Sequence, residues 1–114
     1  MEADCIFCKI VGGEIPADRV YENDQILAFR DIAPAAPTHV IIIPKAHIAT
    51  LNDLGPEHEN LMGAALSAAK QVAQQEGLTA GYRVVANCLK GAGQEVFHIH
   101  FHLLGGRPLG WPPG

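Results

Sequence analysis

Six histidines occur in the 114 residues of this chain, and three of them fall on alternate positions: His98, His100 and His102, in the run "HIHFHLLGG". Ile99 and Phe101 between them are apolar and favour extended backbone, so the run reads as a strand with period two. A strand sends successive side chains to opposite faces. The three imidazoles would then share one face, with Ile99, Phe101 and Leu103 on the other against a core. Imidazole titrates near neutrality, so it can act as nucleophile, general acid or general base with little tuning. A structural metal site or a hydrogen-bonded polar face would use the same residue type. The preceding loop, "GAGQE", weighs towards catalysis on phosphate. Its glycines let backbone N–H groups close around an anion without any lysine.

A second group lies at the other end of the chain. Cys5-x-x-Cys8 offers two sulfurs of the kind tetrahedral zinc takes, with histidines elsewhere to complete a set. A helix turn with two ordinary thiols fits the same residues, because the cysteine-to-histidine spacing far exceeds that of compact zinc motifs. Cys88 reads as a buried thiol. Three cysteines cannot all pair within one chain, and Cys5 and Cys8 are too close to staple much. Reduced thiols in a cytoplasmic setting follow.

These residues need a scaffold, and 114 residues suffice for one domain, 1–114, with a single core. Hydrophobic residues make up 48% and charged ones 18%, as in an ordinary compact protein. The net charge of −4 offers no basic field for nucleic acid or an anionic membrane, so any phosphate must be held locally. The first residues, "MEADCIFCKI", lack a signal-peptide pattern, and no apolar run is long enough to span a membrane.

The order of elements follows from caps and periodicity. Asp4 can cap a short helix carrying Ile6, Phe7 and Ile10, stopped by Gly12-Gly13. "EIPADRVYENDQILAFRDI" predicts a hairpin turning at Asn23-Asp24, with Leu27, Phe29 and Asp31 on one face of its second arm. Val40 to Ile43 predict a strand covered on both faces. A long helix follows, capped by Gly55, with Pro56 as its first residue, Gly77 at its end and a stripe of Leu61, Ala65, Ala68, Ala69 and Val72. "GYRVVANC" predicts a strand ahead of the glycine loop and the histidine run. The sum is α+β: a five-stranded antiparallel sheet with one long and one short helix.

The pattern "HIHFHLL" resembles the H-x-H-x-H-x-x signature of the histidine triad (HIT) family. "IFCKIVGGEIPA", "AFRDIAPAAPTHVIIIPKAHI", "GQEVFHIHFHLLGGRP" and the tail "WPPG" extend the likeness over nearly the whole chain, to the Hint branch of purine nucleoside phosphoramidases. The resemblance implies a homodimer whose sheets join across a two-fold axis, a purine nucleotide (AMP or GMP type) as ligand, and hydrolysis of P–N bonds through a nucleotidyl-histidine.

On that comparison His100 matches the nucleophile, with His98 behind it, and His102 and Asn87 match groups that contact phosphate oxygens. The backbone of Gly93, Glu95 and Val96 matches the phosphate loop, and His39 a supporting partner of the triad. Ile6, Phe7, Ile10, Phe29 and Ile32 match an apolar clamp on the base, Asp31 the carboxylate at the ribose hydroxyls. Trp111 matches an aromatic on the tail, 107–114, that reaches the partner subunit. Glu95 stands where animal members carry serine, which bears on how the leaving amine gains its proton. Several bacterial members have the cysteine pair, which implies a structural zinc on Cys5, Cys8, His47 and His98 and no cofactor in the chemistry itself.

Three other activities share these residues. "WPPG" and "GGRP" weigh against a dinucleoside polyphosphate hydrolase, and His102 weighs against a nucleotidyltransferase, which has glutamine there. A nucleotide-sensing binding module would keep the same intact site.

Overall fold

The structure, a computed structural model, describes residues 3–114; the first two residues of the expected domain lie outside them. Five strands, β1 (Arg19–Glu22), β2 (Ile26–Arg30), β3 (Thr38–Pro44), β4 (Tyr82–Val85) and β5 (Phe101–Gly105), form one sheet in the order β1-β2-β3-β5-β4. Every neighbouring pair is antiparallel. A short helix, α1 (Ile6–Val11), and a long one, α2 (Glu59–Gln75), complete the expected α+β architecture.

The hairpin turns where Asn23 predicts it. Its Oδ1 accepts the N–H groups of Gln25 and Ile26 at 2.9 and 2.8 Å, an Asx turn that replaces backbone bonding. β3 pairs on both sides and is buried along its whole length, as its β-branched run requires. Its alternation splits the interior into two cores. Val40 and Ile42 join Ile26, Ala28, Phe101 and Leu103 against the buried Ala65, Ala68, Ala69, Val72 and Ala73 of α2. Ile41 and Ile43 join Leu27 and Phe29 on the opposite face, under Cys5, Phe7, Cys8 and Ile10 of the α1 segment. Alanines along α2 let the helix lie close to the sheet, so truncating a central strand residue leaves a hole that the helix cannot follow. Ile42→Ala should therefore cost about 3 kcal/mol of stability, read as a lower urea midpoint at unchanged m-value.

Four boundaries differ from expectation, each for a local reason. The cap of α1 is Cys5, whose Sγ accepts the Cys8 N–H at 3.3 Å, and not Asp4. Pro56–His58 closes a 3-10 turn before α2 begins at Glu59. His58 Nδ1 takes the Gly55 N–H at 3.0 Å and the His58 N–H returns to the Gly55 carbonyl at 2.9 Å. β4 ends at Val85, so Asn87 and Cys88 lie beyond it. β5 begins at Phe101, so of the three histidines only His102 sits in the strand. Pro44, where the β3 ladder would continue opposite the histidine run, has no N–H to donate. The Ile99 N–H turns instead to the Ile48 carbonyl at 2.6 Å.

Candidate functional site

Sheet register places the first pair of site residues. Ile41 stands opposite His102 and His39 opposite Leu104, so His39 and His102 project on the α1 side of the sheet. As diagonal neighbours they meet at 2.9 Å, His39 Nε2 to His102 Nδ1. The protons in this pair are fixed by geometry. The Ala35 amide donates to His39 Nδ1 at 3.0 Å, which leaves the ring proton on Nε2. His39 Nε2 then donates to His102 Nδ1, and His102 is left with Nε2–H as a donor. Asp31 closes the row, its Oδ2 at 3.4 Å from His39 Nε2 and its Oδ1 accepting the Ala33 N–H at 2.8 Å.

His100 is fixed in the opposite sense. Its Nδ1 donates to the His98 carbonyl at 2.7 Å, so Nε2 carries an unshared lone pair. Phe7 stands perpendicular to this ring at 5.1 Å and 88°, and edge-on to His98 at 5.9 Å. One histidine is thus set as a nucleophile and its neighbour as a proton donor, with ring centroids 5.0 Å apart.

Burial holds both rings neutral. It pushes the His100 pKa down, against the opposing pull of its bond to the His98 carbonyl and of the Asp31 charge. His102 is pushed down to about 4, first by burial and then by the neighbouring His100 and His39. Unfolding returns these rings to their ordinary value near 6.5, so the unfolded chain binds more protons between that pH and about 4. The stability linked to these rings is full above the ordinary histidine pKa and is lost as pH falls towards about 4. Urea midpoints should be lower at pH 5 than at pH 7, with the slope set by the histidines; a midpoint that rises on acidification would contradict this.

The four residues expected around a metal come together. Cys5 Sγ, Cys8 Sγ, His47 Nδ1 and His98 Nδ1 all lie within 4.8 Å of one another. Cys5 Sγ is 3.3 Å and Cys8 Sγ 3.6 Å from His98 Nδ1; Cys8 Sγ is 3.5 Å and His98 Nδ1 3.3 Å from His47 Nδ1. Tetrahedral zinc, with its usual bond lengths, sets its nitrogen ligands about 3.3 Å apart and nitrogen about 3.6 Å from sulfur. The tautomer of His98 suits it as well: Nε2–H donates to the Pro44 carbonyl at 2.7 Å, which leaves Nδ1 as a free lone pair. Burial pushes the Cys5 thiol up and the His98 imidazole down, so without a cation these two groups are neutral. A divalent ion would reverse the direction for the Cys5 thiol.

Asp31, His39 and His102 also have metal-ligand atoms within 4.8 Å of one another. They make a poor metal site. A metal on His39 Nε2 would force the ring proton onto Nδ1, against the Ala35 N–H that already points there. This group is a hydrogen-bond relay.

The other expected residues divide. Phe7, Ile10 and Phe29 are buried within the α1-side core, whereas Ile6 is exposed and Ile32 fully so. Asn87, Gly93, Glu95 and Val96 lie on the segment that joins β4 to the histidines, with Gly93 at φ +95°. Glu95 is exposed and lines a cavity of about 410 Å³ with Asp4, Cys5, Ile6, His47 and Phe97. Trp111 is 84% exposed.

One residue of the site has no signal in the sequence. Gln94 is buried and ties the glycine loop together: its Oε1 accepts the Leu89 N–H at 2.8 Å, and its Nε2 donates to the Ala49 and Val96 carbonyls at 2.9 and 3.1 Å. Its own N–H bonds the Leu89 carbonyl at 3.1 Å. These bonds hold Leu89 at φ +73°, a conformation leucine seldom takes.

Comparison with known proteins agrees with this arrangement. The HIT domain model matches residues 12–109. An uncharacterized HIT-like protein of Synechococcus elongatus is 56% identical over 114 residues, the whole of both chains. A purine nucleoside phosphoramidase of Escherichia coli is 52% identical over 111 residues, 96% of this chain and 93% of that one. The crystal structure of a HIT family hydrolase from Legionella pneumophila superposes with a TM-score of 0.96 at 59% identity, covering 97% of this chain and 100% of the other. With the triad, its relay and the fold that carries them all in place, the chain belongs to the HIT domain family.

Proposed function

We propose that this chain is a purine nucleoside phosphoramidase, cleaving the P–N bond of adenosine or guanosine 5'-phosphoramidates through a nucleotidyl intermediate on His100. The observation that carries this reading is the bare Nε2 of His100, created by the Nδ1–H bond to the His98 carbonyl. That nitrogen attacks the α-phosphorus and the P–N bond breaks, the departing nitrogen taking up one solvent proton, returned in the hydrolysis step, to leave as the amine. Water then displaces the monophosphate from the imidazole. His102, held as an Nε2–H donor by the Asp31–His39 row, stabilises the charge that builds on the phosphoryl oxygens. Asn87 and the N–H groups of the Gln94-pinned loop assist it, and Asp31 takes the ribose hydroxyls. The 52% identity to a protein named for this activity supports the choice over other nucleotide hydrolases.

We assign Cys5, Cys8, His47 and His98 to a structural zinc. With four protein ligands it supplies folding energy and leaves no position for substrate. The working form is a homodimer. β4 is an edge strand with exposed Tyr82 on it and exposed Leu66 on α2, which suits sheets that join across a two-fold.

Alkali-quenched reactions with adenosine 5'-phosphoramidate and with a diadenosine polyphosphate test the function. A phosphorus-bound adduct on His100, with turnover of the phosphoramidate well above the other, is expected. Preferred turnover of the polyphosphate would make the chain a hydrolase of P–O–P bonds.

A further inference from the structure

We propose that Cys5 and Cys8 form a peroxide-sensitive thiol pair, whose closure to a disulfide dismantles the four-ligand cluster and loosens the nucleophile. The inference rests on the metal and nucleophile assignments above and extends them to a modification site.

Two observations carry it. The sulfurs lie within 4.8 Å of each other, and two residues separate the cysteines at the start of α1, where the Cys8 N–H already donates to Cys5 Sγ at 3.3 Å. Closure of a disulfide needs rotation of side chains rather than movement of the fold. The cavity of about 410 Å³ gives the second observation, because Cys5 and His47 form part of its wall while Cys8 does not. Cys5 is 9% exposed and Cys8 1%. A small oxidant entering from this side meets Cys5 first, with Cys8 behind it in position to resolve.

The chemistry balances with hydrogen peroxide as oxidant. Cys5 sulfur attacks one peroxide oxygen; the O–O bond breaks, leaving a sulfenic acid on Cys5 and a first water. Cys8 sulfur then attacks the sulfenic sulfur, the S–O bond breaks and a second water leaves. Two thiols are oxidised, one peroxide is reduced, and no other partner is needed. The disulfide removes both sulfurs from the set, leaving His47 and His98 alone to face the metal.

The effect reaches the reaction by two routes. Phe7 lies between the two cysteines in sequence and packs edge-on against His100 and His98. His98 joins the clusters directly, with its Nδ1 on the sulfurs and its carbonyl holding His100 Nδ1. Anything that frees the His98 ring or shifts the first turn of α1 disturbs the aim of His100 Nε2.

The test uses zinc-loaded protein carrying Cys88→Ser, so that the remaining thiol does not react. Graded hydrogen peroxide is followed by intact mass, by metal release to a chromogenic chelator and by phosphoramidate turnover. Expected are the loss of two hydrogens, metal released in step with the disulfide, and turnover lower by about ten- to a hundred-fold, all restored by dithiothreitol and zinc. In Cys8→Ser, Cys5 should stop at the sulfenic acid and take up dimedone. Oxygen gained without a disulfide, dimedone labelling of the resolving thiol in Cys5→Ser but none in Cys8→Ser, or a disulfide that leaves metal and turnover untouched would overturn the proposal. Protein that holds no metal before peroxide defeats the zinc assignment alone, since disulfide yield is read independently. Absent turnover before oxidation likewise defeats the nucleophile assignment, while mass and metal release still decide the thiol pair.

Discussion

Replacement of His100 by asparagine should lower turnover of adenosine 5'-phosphoramidate by about 10⁴-fold or more while leaving AMP binding nearly unchanged. The asparagine amide can still donate to the His98 carbonyl, so the local hydrogen bond survives and only the attacking nitrogen is lost. Water must then displace the amine directly, without the division of one displacement into two that a nucleophile provides. His102→Asn makes the useful contrast. It removes a donor to the phosphoryl oxygens but leaves His100 Nε2 bare, so the nucleotidyl adduct should still form, more slowly. Calorimetric titration with AMP beside single-turnover kinetics separates the two. If His100→Asn keeps turnover within about ten-fold of the parent, the nucleophile is another group and the tautomer argument fails.

The second large effect concerns the four-ligand cluster. Protein purified without chelator should contain about one zinc per chain, and Cys8→Ser should retain little of it, because a serine hydroxyl does not replace a thiolate at this ion. A ligand that binds only the folded state adds RT ln(1 + [L]/Kd), about 4 kcal/mol when its free concentration is a thousand times Kd. For a chain of this size, losing that much lowers Tm by roughly 15 °C. Stripping the parent with a strong chelator should reproduce the variant's Tm, and stripping the variant should do nothing further. A metal-free parent whose Tm ignores the chelator would make the four residues a buried hydrogen-bond cluster.

Much of the fold was legible because it depends on local signals. The Asn23 turn, the β-branched run of β3 and the alanine stripe of α2 each carry their own reason within a few residues. The histidine alternation was legible too, but its extent as a strand was not. The ladder stops at Pro44, fifty-four residues away from the His98 that takes its carbonyl. No periodicity within "HIHFH" contains that information. The metal set has the same character: Cys5 and His98 are 93 residues apart, and only the fold brings them to 3.3 Å. Likeness to relatives supplied those partners where spacing could not. Apolar residues posed the opposite difficulty. Phe7, Ile10 and Phe29 are read equally well as a base clamp or as core, and they are buried in the core, Phe7 with its ring edge-on to His98 and His100. Gln94 carries no such signal, because a glutamine between glycine and glutamate looks like solvent-facing loop, and its three partners are supplied by distant or irregular backbone.

The division of the interior into two cores has a consequence for how such a protein changes over time. One core, between α2 and the sheet, contains no residue assigned to the chemistry. The other contains Phe7, Ile10 and Phe29 together with Cys5 and Cys8, on the face of the sheet that carries the relay. The sheet stands between them, so a substitution in one is separated from a substitution in the other by a full layer of backbone, and their costs should sum. A lineage can therefore gain stability on the helix face and spend it on the opposite face, retuning what the site admits while the reacting histidines stay where the strands put them.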